Sequence, residues 1–439
     1  MSAGMESAPR EPGHLASRTG PGRLFVVSYA FPPLAMAEAY VTNRLVRGIA
    51  NRGWQVRAFS VDPESSCEAV DERFDPPGSP NVSVRRSRSP ERRLFGWAKT
   101  RWIERIARHT LCLLGLPEKQ YPWIWTALHR GVSEAREFAP DVIYSRANYN
   151  VSNVLGMQLA RITGVPSMAH FSDPWIGNPY LRSWPLQNLR IRSLERAIVN
   201  SARLVTVPCE EIANMFRRRY AALPPSKFVV LPHSFDEARS GPPERARATR
   251  CRIVYAGALH GSRTPQPLFE ALGLLAGEPS QSWKLLEILL VGPGVRSFRR
   301  QCARPPLNGT VTLVDRVPLA ECTGLLASAD VCLVIDAANS ASPFLPSKLI
   351  DYLAYNRPIL GITSSGSPSS QLLSRLGCLS ADPQDIPGIA HAMETVAQMW
   401  RDNTLEVGPA FRRNAASFTT SEVSRELDRL LRITAAKEI

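Results

Sequence analysis

Apolar runs and helical patterns alternate along the chain in two successive series. The first series opens with a continuous apolar run at 24–29, which is typical of a parallel strand covered on both faces. It continues with a helical pattern at 35–51, where Val41, Leu45 and Ile49 recur on one side. Further strands are predicted at 55–61, 141–147, 166–171, 202–208 and 227–232, and further helices at 151–163 and 186–201.

The second series starts after a stretch rich in Pro, Arg and Ala at 236–250, which has the composition of a linker. Strands are predicted at 252–256, 286–291, 311–314, 331–335 and 358–362. Helices are predicted at 265–276, 319–328, 347–355 and 385–400, and a charged amphipathic helix at 421–431.

Repeated strand–helix alternation predicts parallel sheets with helices on both faces, so we expect an α/β protein with two doubly wound, Rossmann-like domains facing across a cleft. The cleft is the expected active site, because ligands of such folds bind at the carboxyl ends of the strands. The predicted boundaries are a disordered tail at 1–22, an N-terminal domain at 23–237, a linker at 238–250, a C-terminal domain at 251–408 and a helical segment at 409–439 that could pack back on the N-terminal domain.

The composition, 44% hydrophobic and 21% charged, is that of a folded soluble protein. The eight cysteines are scattered without a CxxC pair, and the seven histidines are equally dispersed, so we expect free thiols, a reducing compartment and no metal site. The first 22 residues lack the apolar core of a signal peptide, and we find no apolar run of the roughly 18 residues that a spanning helix needs. These features predict a cytoplasmic protein.

The segment 343–360 carries the most informative chemistry. Pro346 favours an extended approach, Ser347 is a natural N-cap, and the helix that follows would direct free N–H groups into the cleft, as a diphosphate requires. Lys348 lies in the first turn, where a cation is favourable beside a bound anion, and Asp351 lies one turn later. The alternative is an ordinary capped helix that packs its leucines on the sheet.

This segment resembles the "PSK-L-x-E-Y" segment of GT4-type glycosyltransferases, which have the two-domain GT-B architecture. The resemblance places Ser347, Lys348 and Leu349 in the donor site and implies that Asp351 binds the donor ribose. The segment corresponds to the second half of the family's E-x7-E motif. The first acid of that motif falls at Pro343 in this chain.

A second match is the segment 26–33, which resembles the "strand-Y-x-F-P-P" opening of the same families. There the loop after the first strand lies under the reacting sugar, which implies this position for Phe31, Pro32 and Pro33. The two prolines make a rigid turn at a strand end, as a binding loop needs, although a purely structural turn is the alternative.

The segment 166–175 resembles a "D-x-R-D-P-W" segment of some GT4 subgroups, with His170 and Ser172 in place of the usual Asp and Arg. The resemblance implies that His170 and Asp173 point at the acceptor or the donor sugar as catalytic candidates. The alternatives are a structural histidine and an aspartate that caps the following loop.

The first turn of the second domain is the fourth match. The families carry a glycine after this strand and then a basic residue that grips the donor diphosphate, which implies these roles for Gly257 and Arg263. Gly292 matches a further glycine turn at a strand end. No G-x-G-x-x-G follows the first strand, which argues against a nicotinamide dehydrogenase.

The net charge of +14 is concentrated in one segment. Between Arg85 and Arg108 there are nine Arg and Lys against two Glu, so this stretch holds half of the excess. In 85–116, apolar residues including Phe95 and Trp102 fall near one helical face, which predicts an interfacial helix on an anionic membrane. An amphipathic core helix with a solvated basic face is the alternative. We expect no nucleic-acid partner, because no such binding motif accompanies the charge.

Together the resemblance implies a retaining transferase that moves a sugar from a nucleotide-diphosphate sugar to a glycan or lipid-linked saccharide in cell-surface polysaccharide synthesis. It implies no metal or other cofactor, and a position in the cytoplasm at the inner membrane face. Two alternatives stay open: a sugar-nucleotide epimerase on the same fold, and a non-catalytic scaffold that binds nucleotide or glycan, which the missing acid at Pro343 favours.

Overall fold

The computed structural model describes residues 22–74, 78–96, 115–178, 184–237, 248–259, 261, 263–337 and 342–436. The N-terminal part of these residues builds a parallel sheet with the strand order β3-β2-β1-β4-β5-β6-β7. Its strands are β1 Arg23–Val27, β2 Gln55–Val61, β3 Val82–Ser87, β4 Val142–Ala147, β5 Ser167–Phe171, β6 Leu204–Val207 and β7 Phe228–Val230.

Helices cover both faces of this sheet, as the continuous apolar strands require. They are α1 Ala37–Asn51, α2 Glu91–Phe95, α3 Ile124–Phe138, α4 Val151–Thr163, α5 Pro185–Ser201 and α6 Glu210–Arg219. On one face, Phe25 of β1 packs on Phe59 of β2 and on Phe138 of α3.

The C-terminal part builds a second parallel sheet with the order β10-β9-β8-β11-β12-β13. Its strands are β8 Cys251–Ala256, β9 Leu286–Val291, β10 Val311–Val314, β11 Val331–Ile335, β12 Ile359–Ile362 and β13 Ser380–Ala381. Its helices are α7 Gln266–Gly277, α8 Arg299–Cys302, α9 Leu319–Ala327, α10 Ser347–Leu353, α11 Pro368–Leu376, α12 Ile386–Arg401 and α13 Pro409–Ala415. The predicted two-domain α/β fold is confirmed.

Both sheets reverse the direction of winding at their first strand. β1 lies between β2 and β4, and β8 lies between β9 and β11, so the loops that follow these strands diverge and leave a crevice. Crevices of this kind are where ligands bind in open parallel sheets. The two crevices open toward each other.

The last helix, α14 Thr420–Ala435, packs on α1 of the N-terminal domain. Its apolar residues Val423, Leu427 and Leu430 recur at helical spacing and are buried with Val41 and Leu45. The chain therefore crosses between the domains twice. The two crossings are joined where the Phe235 amide donates to Phe418 O at 2.9 Å and the Thr420 amide donates to Phe235 O at 2.8 Å.

The basic segment differs from a continuous helix where it is described. Residues 85–87 complete β3, because Arg85 and Arg86 pair in register with Phe59 and Ser60 of β2. A helix of five residues, α2, follows at Glu91–Phe95. The remainder of the predicted interfacial face, from Ala98 through Trp102 to Leu113, lies outside the described residues. Within the described ranges, no helix is long and apolar enough to cross a membrane.

Candidate functional site

The carboxyl ends of the two sheets enclose a cleft of about 2540 Å³ between the domains. Pro33, Asp173 and His233 line it after β1, β5 and β7 of the first sheet. Gly257 and Asp336 line it after β8 and β11 of the second sheet. Residues that are more than 300 positions apart in the sequence therefore line the same cleft.

Lys348 is held in place at the C-terminal wall of the cleft. Its ammonium donates a hydrogen bond to the Tyr255 hydroxyl at 2.9 Å and lies 4.3 Å from the centre of that ring. The Tyr255 hydroxyl donates its own proton to Ala258 O at 3.0 Å, so its lone pair remains for the lysine. Burial and the nearby Arg263 guanidinium lower the pKa of Lys348 to about 7.

Two polar atoms beside Lys348 are buried and have no hydrogen-bond partner among the residues that the structure describes. They are Nε of Arg263 and Oδ1 of Asp336. Burial raises the pKa of Asp336, while the Ser369 side chain and the charges of Arg263 and Lys348 oppose that rise. We call this group of Gly257, Arg263, Asp336 and Lys348 the cationic end of the cleft. Unpaired buried polar atoms are costly, which indicates that a polar ligand completes the site.

Two glycines allow the backbone to approach at this end. A Cβ on Gly257 would overlap Nζ of Lys348 and lie 3.2 Å from the Tyr255 hydroxyl. Gly292 has φ +131° and lies against the Gly257 carbonyl, so a side chain there would be both strained and in contact with backbone. Gly257 therefore belongs to the cationic end, whereas Gly292 lies behind Gly257 and outside the cleft lining as described.

The helix that carries Lys348 differs in detail from the prediction. Its N-cap residue is Pro346 and its first helical residue is Ser347, whose side chain makes no capping bond, so the predicted Ser347 N-cap is wrong. The extended backbone of Pro346 already sets the entry angle. Ser347 lines the cleft, whereas the Leu349 side chain is fully buried in the core, so Leu349 supports the site only by packing.

Asp351 lies on the cleft wall and reaches across to the other domain. Its Oδ1 accepts a hydrogen bond from the Arg44 guanidinium of α1 at 2.6 Å, and 37% of its side chain remains exposed. Asp351 and Lys348 are one turn apart on α10, so this short helix places both a carboxylate and an ammonium group at the cleft.

Asp173 and His170 have different surroundings. Asp173 is exposed to the cleft, yet the enclosing walls and the charge of Glu38 raise its pKa to about 6, against the effect of Arg263. His170 is buried in β5, with Nδ1 3.0 Å from the Thr206 hydroxyl, and burial lowers its pKa well below the usual value. The described lining of the cleft contains Asp173 but not His170. The imidazole therefore lies behind the described cleft wall, and its catalytic role stays a prediction.

The loop after β1 is only partly a ligand surface. Pro33 lines the cleft, whereas Phe31 is buried in the core with Leu24 and Val26. The Pro32 carbonyl accepts a hydrogen bond from Arg86 at 2.7 Å, which ties this loop to β3. Of the three predicted residues, Pro33 alone reaches the described cleft wall.

Sequence reasoning missed a buried ion pair beneath this loop. Oε1 of Glu38 in α1 accepts a hydrogen bond from Nε of Arg146 in β4 at 3.0 Å, Nη2 of the same arginine lies 2.8 Å from Oε1, and both side chains are buried. The second oxygen of Glu38 accepts from the Ser172 hydroxyl at 2.7 Å, which anchors the segment carrying Asp173. Glu38 gave a weak signal, since an acid in the first turn of a helix is ordinary. Arg146 looked like the polar end of a strand.

A part of the cleft that is lined by residues of the N-terminal domain has a polar floor. Glu68 accepts from the Tyr149 hydroxyl at 2.8 Å and from Gln120 at 3.1 Å, and Lys119 lies 3.7 Å from it. The Lys119 ammonium is also 3.4 Å from Glu91, which is fully buried. Such a floor offers hydrogen-bond donors and acceptors at fixed positions.

Metal ligands and disulfides are lacking in the described ranges. No group of three or more His, Cys, Asp or Glu side chains there is arranged to hold a metal ion. The seven cysteines described are free thiols, and six of them are buried or half-buried, namely Cys209, Cys251, Cys302, Cys322, Cys332 and Cys378.

Part of the sequence is similar to a known protein family. Residues 37–234 match the glycosyl transferase 4-like domain family, which covers most of the N-terminal domain. No curated protein matches the sequence significantly.

Solved structures match almost the whole chain. Sucrose-phosphate synthase of Thermosynechococcus elongatus superposes with a TM-score of 0.66 at 16% identity, covering 94% of this chain and 98% of its own. HepE of Anabaena in complex with UDP gives 0.64 at 15% identity, with 94% and 100% covered. The lipopolysaccharide outer core galactosyltransferase WaaB gives 0.58 at 11% identity, with 94% and 99% covered. At these identities the likeness establishes the GT-B fold.

Proposed function

Because this chain is a GT4-type glycosyltransferase with the GT-B fold, we propose that it binds a nucleoside-diphosphate sugar at the cationic end of the cleft. The observation that carries this proposal is the convergence of Arg263 and Lys348 beside Gly257, where Nε of the arginine has no hydrogen-bond partner in the described ranges. Two cations that repel each other are stabilised by an anion bearing at least two charges. A diphosphate has that charge, and HepE of Anabaena binds UDP and UDP-glucose.

The neighbouring groups suit the rest of such a donor. Asp351 lies one turn beyond Lys348 and would accept hydrogen bonds from the ribose hydroxyls. Asp173 lies across the cleft, close enough for the charge of Arg263 to act on its pKa. It would orient a hydroxyl of the transferred sugar. The polar floor at Glu68 and Lys119 would receive the acceptor saccharide.

The proposed reaction proceeds with retention. The bond from the anomeric carbon to the phosphate oxygen breaks, and the electron pair leaves with the nucleoside diphosphate. An acceptor hydroxyl attacks the same face, and its proton passes to the departing phosphate oxygen. Arg263 and Lys348 stabilise the negative charge that develops on that oxygen. Electrostatic stabilisation of this kind is usually the largest single contribution to catalysis. No metal or other cofactor is part of this proposal.

We further propose a glycan or lipid-linked acceptor in cell-surface polysaccharide synthesis, met at the cytoplasmic side of an anionic membrane. One surface supports this. The start of α5 exposes Trp184, Leu186 and Leu189 by 51%, 59% and 66%, and Arg190 is exposed beside them. Gln187, on the opposite side of that turn, lines the cleft. An apolar and cationic surface at the mouth of a binding site is typical of contact with anionic lipid.

The experiment is a turnover assay over UDP-, GDP- and TDP-sugars, with and without added saccharide acceptors. Release of nucleoside diphosphate together with a glycosylated acceptor supports the proposal. Interconversion of sugar nucleotides without an acceptor would establish an epimerase. Nucleotide binding with no turnover of any donor would establish a scaffold, the alternative that Pro343 favours in place of an acid.

A further inference from the structure

We propose that Arg44 is a positioning residue that orients the Asp351 carboxylate toward the donor ribose. Arg44 also fixes the position of Asp351 relative to the place where the chain crosses between the domains. The proposal rests on the proposed function, because it takes Asp351 to be the ribose ligand. Arg44 lies on α1 of the N-terminal domain, 307 residues away from its partner in the sequence.

The Arg44 guanidinium binds two acceptors that belong to different parts of the molecule. Nη2 donates to Oδ1 of Asp351 at 2.6 Å, and Nη1 donates to the carbonyl oxygen of Ser234. Only 13% of the arginine side chain is exposed, so water screens these contacts weakly. A guanidinium is planar and holds two acceptors in a fixed relative position, which a lysine ammonium cannot do.

Ser234 is the link to the domain crossing. It is fully buried, and its hydroxyl is 3.4 Å from that of Thr420. The next residue, Phe235, forms the backbone hydrogen bonds with Phe418 and Thr420 that join the two passages of the chain between the domains. Arg44 therefore connects the place where the domains meet to a carboxylate on the wall of the donor site.

The remaining oxygen of Asp351 is available for a ligand. Within the described part of the chain, the side-chain hydrogen bond of Asp351 involves Oδ1, and more than a third of the side chain faces the cleft. A carboxylate with one oxygen fixed has lost most of its freedom to rotate, so its second oxygen is preorganised to accept from ribose hydroxyls. Loss of Arg44 should therefore reduce the recognition of ribose in particular, and the recognition of the diphosphate little.

The test compares UDP with 2′,3′-dideoxy-UDP, or the same pair of the guanosine or adenosine diphosphate if that nucleotide binds more tightly. Dissociation constants are measured by calorimetry for the wild type, Arg44→Met and Asp351→Asn. Arg47→Met is the matched control. Arg47 lies one turn further on the same helix and pairs with Asp236 near the same crossing, at 2.5 Å, whereas the ion pair of Asp351 in the described part of the chain is with Arg44.

We expect the wild type and Arg47→Met to prefer the ribose form by about tenfold, which is 1.4 kcal/mol. In Arg44→Met and Asp351→Asn this preference should fall to about threefold or less, while the affinity for the dideoxy form stays the same. A ratio is insensitive to the fraction of folded protein. An arginine that only supports the fold would lower both affinities equally.

Equal losses for both nucleotides in Arg44→Met, or a preference unchanged from the wild type, would overturn the role of Arg44. If Lys348→Met still weakens nucleotide binding in that case, the proposed function stands without this inference. If no nucleoside diphosphate binds the wild type, the proposed function fails and this inference fails with it.

Discussion

The Lys348 ammonium and the Tyr255 hydroxyl are joined by a hydrogen bond of 2.9 Å whose direction is fixed, because the tyrosine gives its own proton to Ala258 O. The lysine is therefore positioned by strand β8 before any ligand arrives. Burial and the charge of Arg263 destabilise the protonated lysine and lower its pKa to about 7. A positioned ammonium whose charge is not neutralised favours binding of an anion. Donor binding should therefore depend on pH and on substitutions at this site.

Donor affinity should weaken as the pH rises above about 7, because Lys348 loses its proton there in the free protein. We expect KM for the donor to rise by about tenfold per pH unit well above this pKa, whereas kcat at saturating donor stays flat, because bound diphosphate restores the charge. Lys348→Arg keeps its proton at every accessible pH. A pH profile of KM in that variant should be flat through this range, and an alkaline rise identical to the wild type would exclude Lys348 as its cause.

Gly257→Ala should weaken donor binding by at least about tenfold with little change in the unfolding midpoint. The added methyl group overlaps Nζ of Lys348, which is the flexible end of a side chain and can move away at small cost to the fold. Gly273→Ala is the control, since a Cβ there meets nothing within 4 Å in the middle of α7. It should keep full activity and gain about 0.5–1 kcal/mol of helix stability. Equal activities of the two variants would contradict the described packing.

Arg146→Met should be strongly destabilising. It leaves the Glu38 carboxylate buried without its cation, which typically costs about 3–5 kcal/mol. Urea unfolding of this variant is compared with that of Arg130→Met, whose exposed arginine is 3.9 Å from Glu134 and should contribute less than about 1 kcal/mol. Adding Glu38→Gln to Arg146→Met should recover part of the loss. Similar unfolding midpoints for Arg146→Met and Arg130→Met would show that the buried pair contributes little.

Vesicle flotation tests the membrane contact at α5. Leu186→Ser combined with Leu189→Ser should lower the fraction bound to vesicles that contain anionic lipid severalfold, because two exposed apolar side chains no longer insert. Leu274→Ser removes a leucine that is 48% exposed on the other domain and should leave binding unchanged. Binding that is equal on neutral vesicles, or insensitive to the α5 substitutions, would refute the contact.

The elements of the fold were largely accessible from the sequence. The continuous apolar strands β1, β8, β9 and β11 have few alternative structures, and the predicted positions agree with those described to within two residues. The edge strand β3 was not predicted, because four of the six residues in its sequence VSVRRS are polar and its charge suggested a surface segment instead.

The site was accessible where a residue directly follows a strand, since parallel strands bring their carboxyl ends to one edge. Gly257 and Asp173, which the family resemblance implied as site residues, follow β8 and β5 and lie on the cleft wall. Contacts between distant residues were not accessible. The pairing of Arg44 with Asp351 joins two domains, and no local pattern marks it. His170 could not be distinguished from a cleft residue either, because the direction of its side chain depends on the packing of Thr206 in the next strand.

The central claim is that a nucleoside diphosphate binds between Arg263 and Lys348. Calorimetric titration of the wild type and variants tests it most directly, with the diphosphates of uridine, guanosine, adenosine and thymidine. Lys348→Met and Arg263→Met should each weaken the best ligand by at least about tenfold with the unfolding midpoint nearly unchanged, as expected for the loss of one charge-assisted contact. Lys284→Met, at an exposed lysine of the same domain, should bind like the wild type. Wild-type affinity in both Lys348→Met and Arg263→Met would contradict the account.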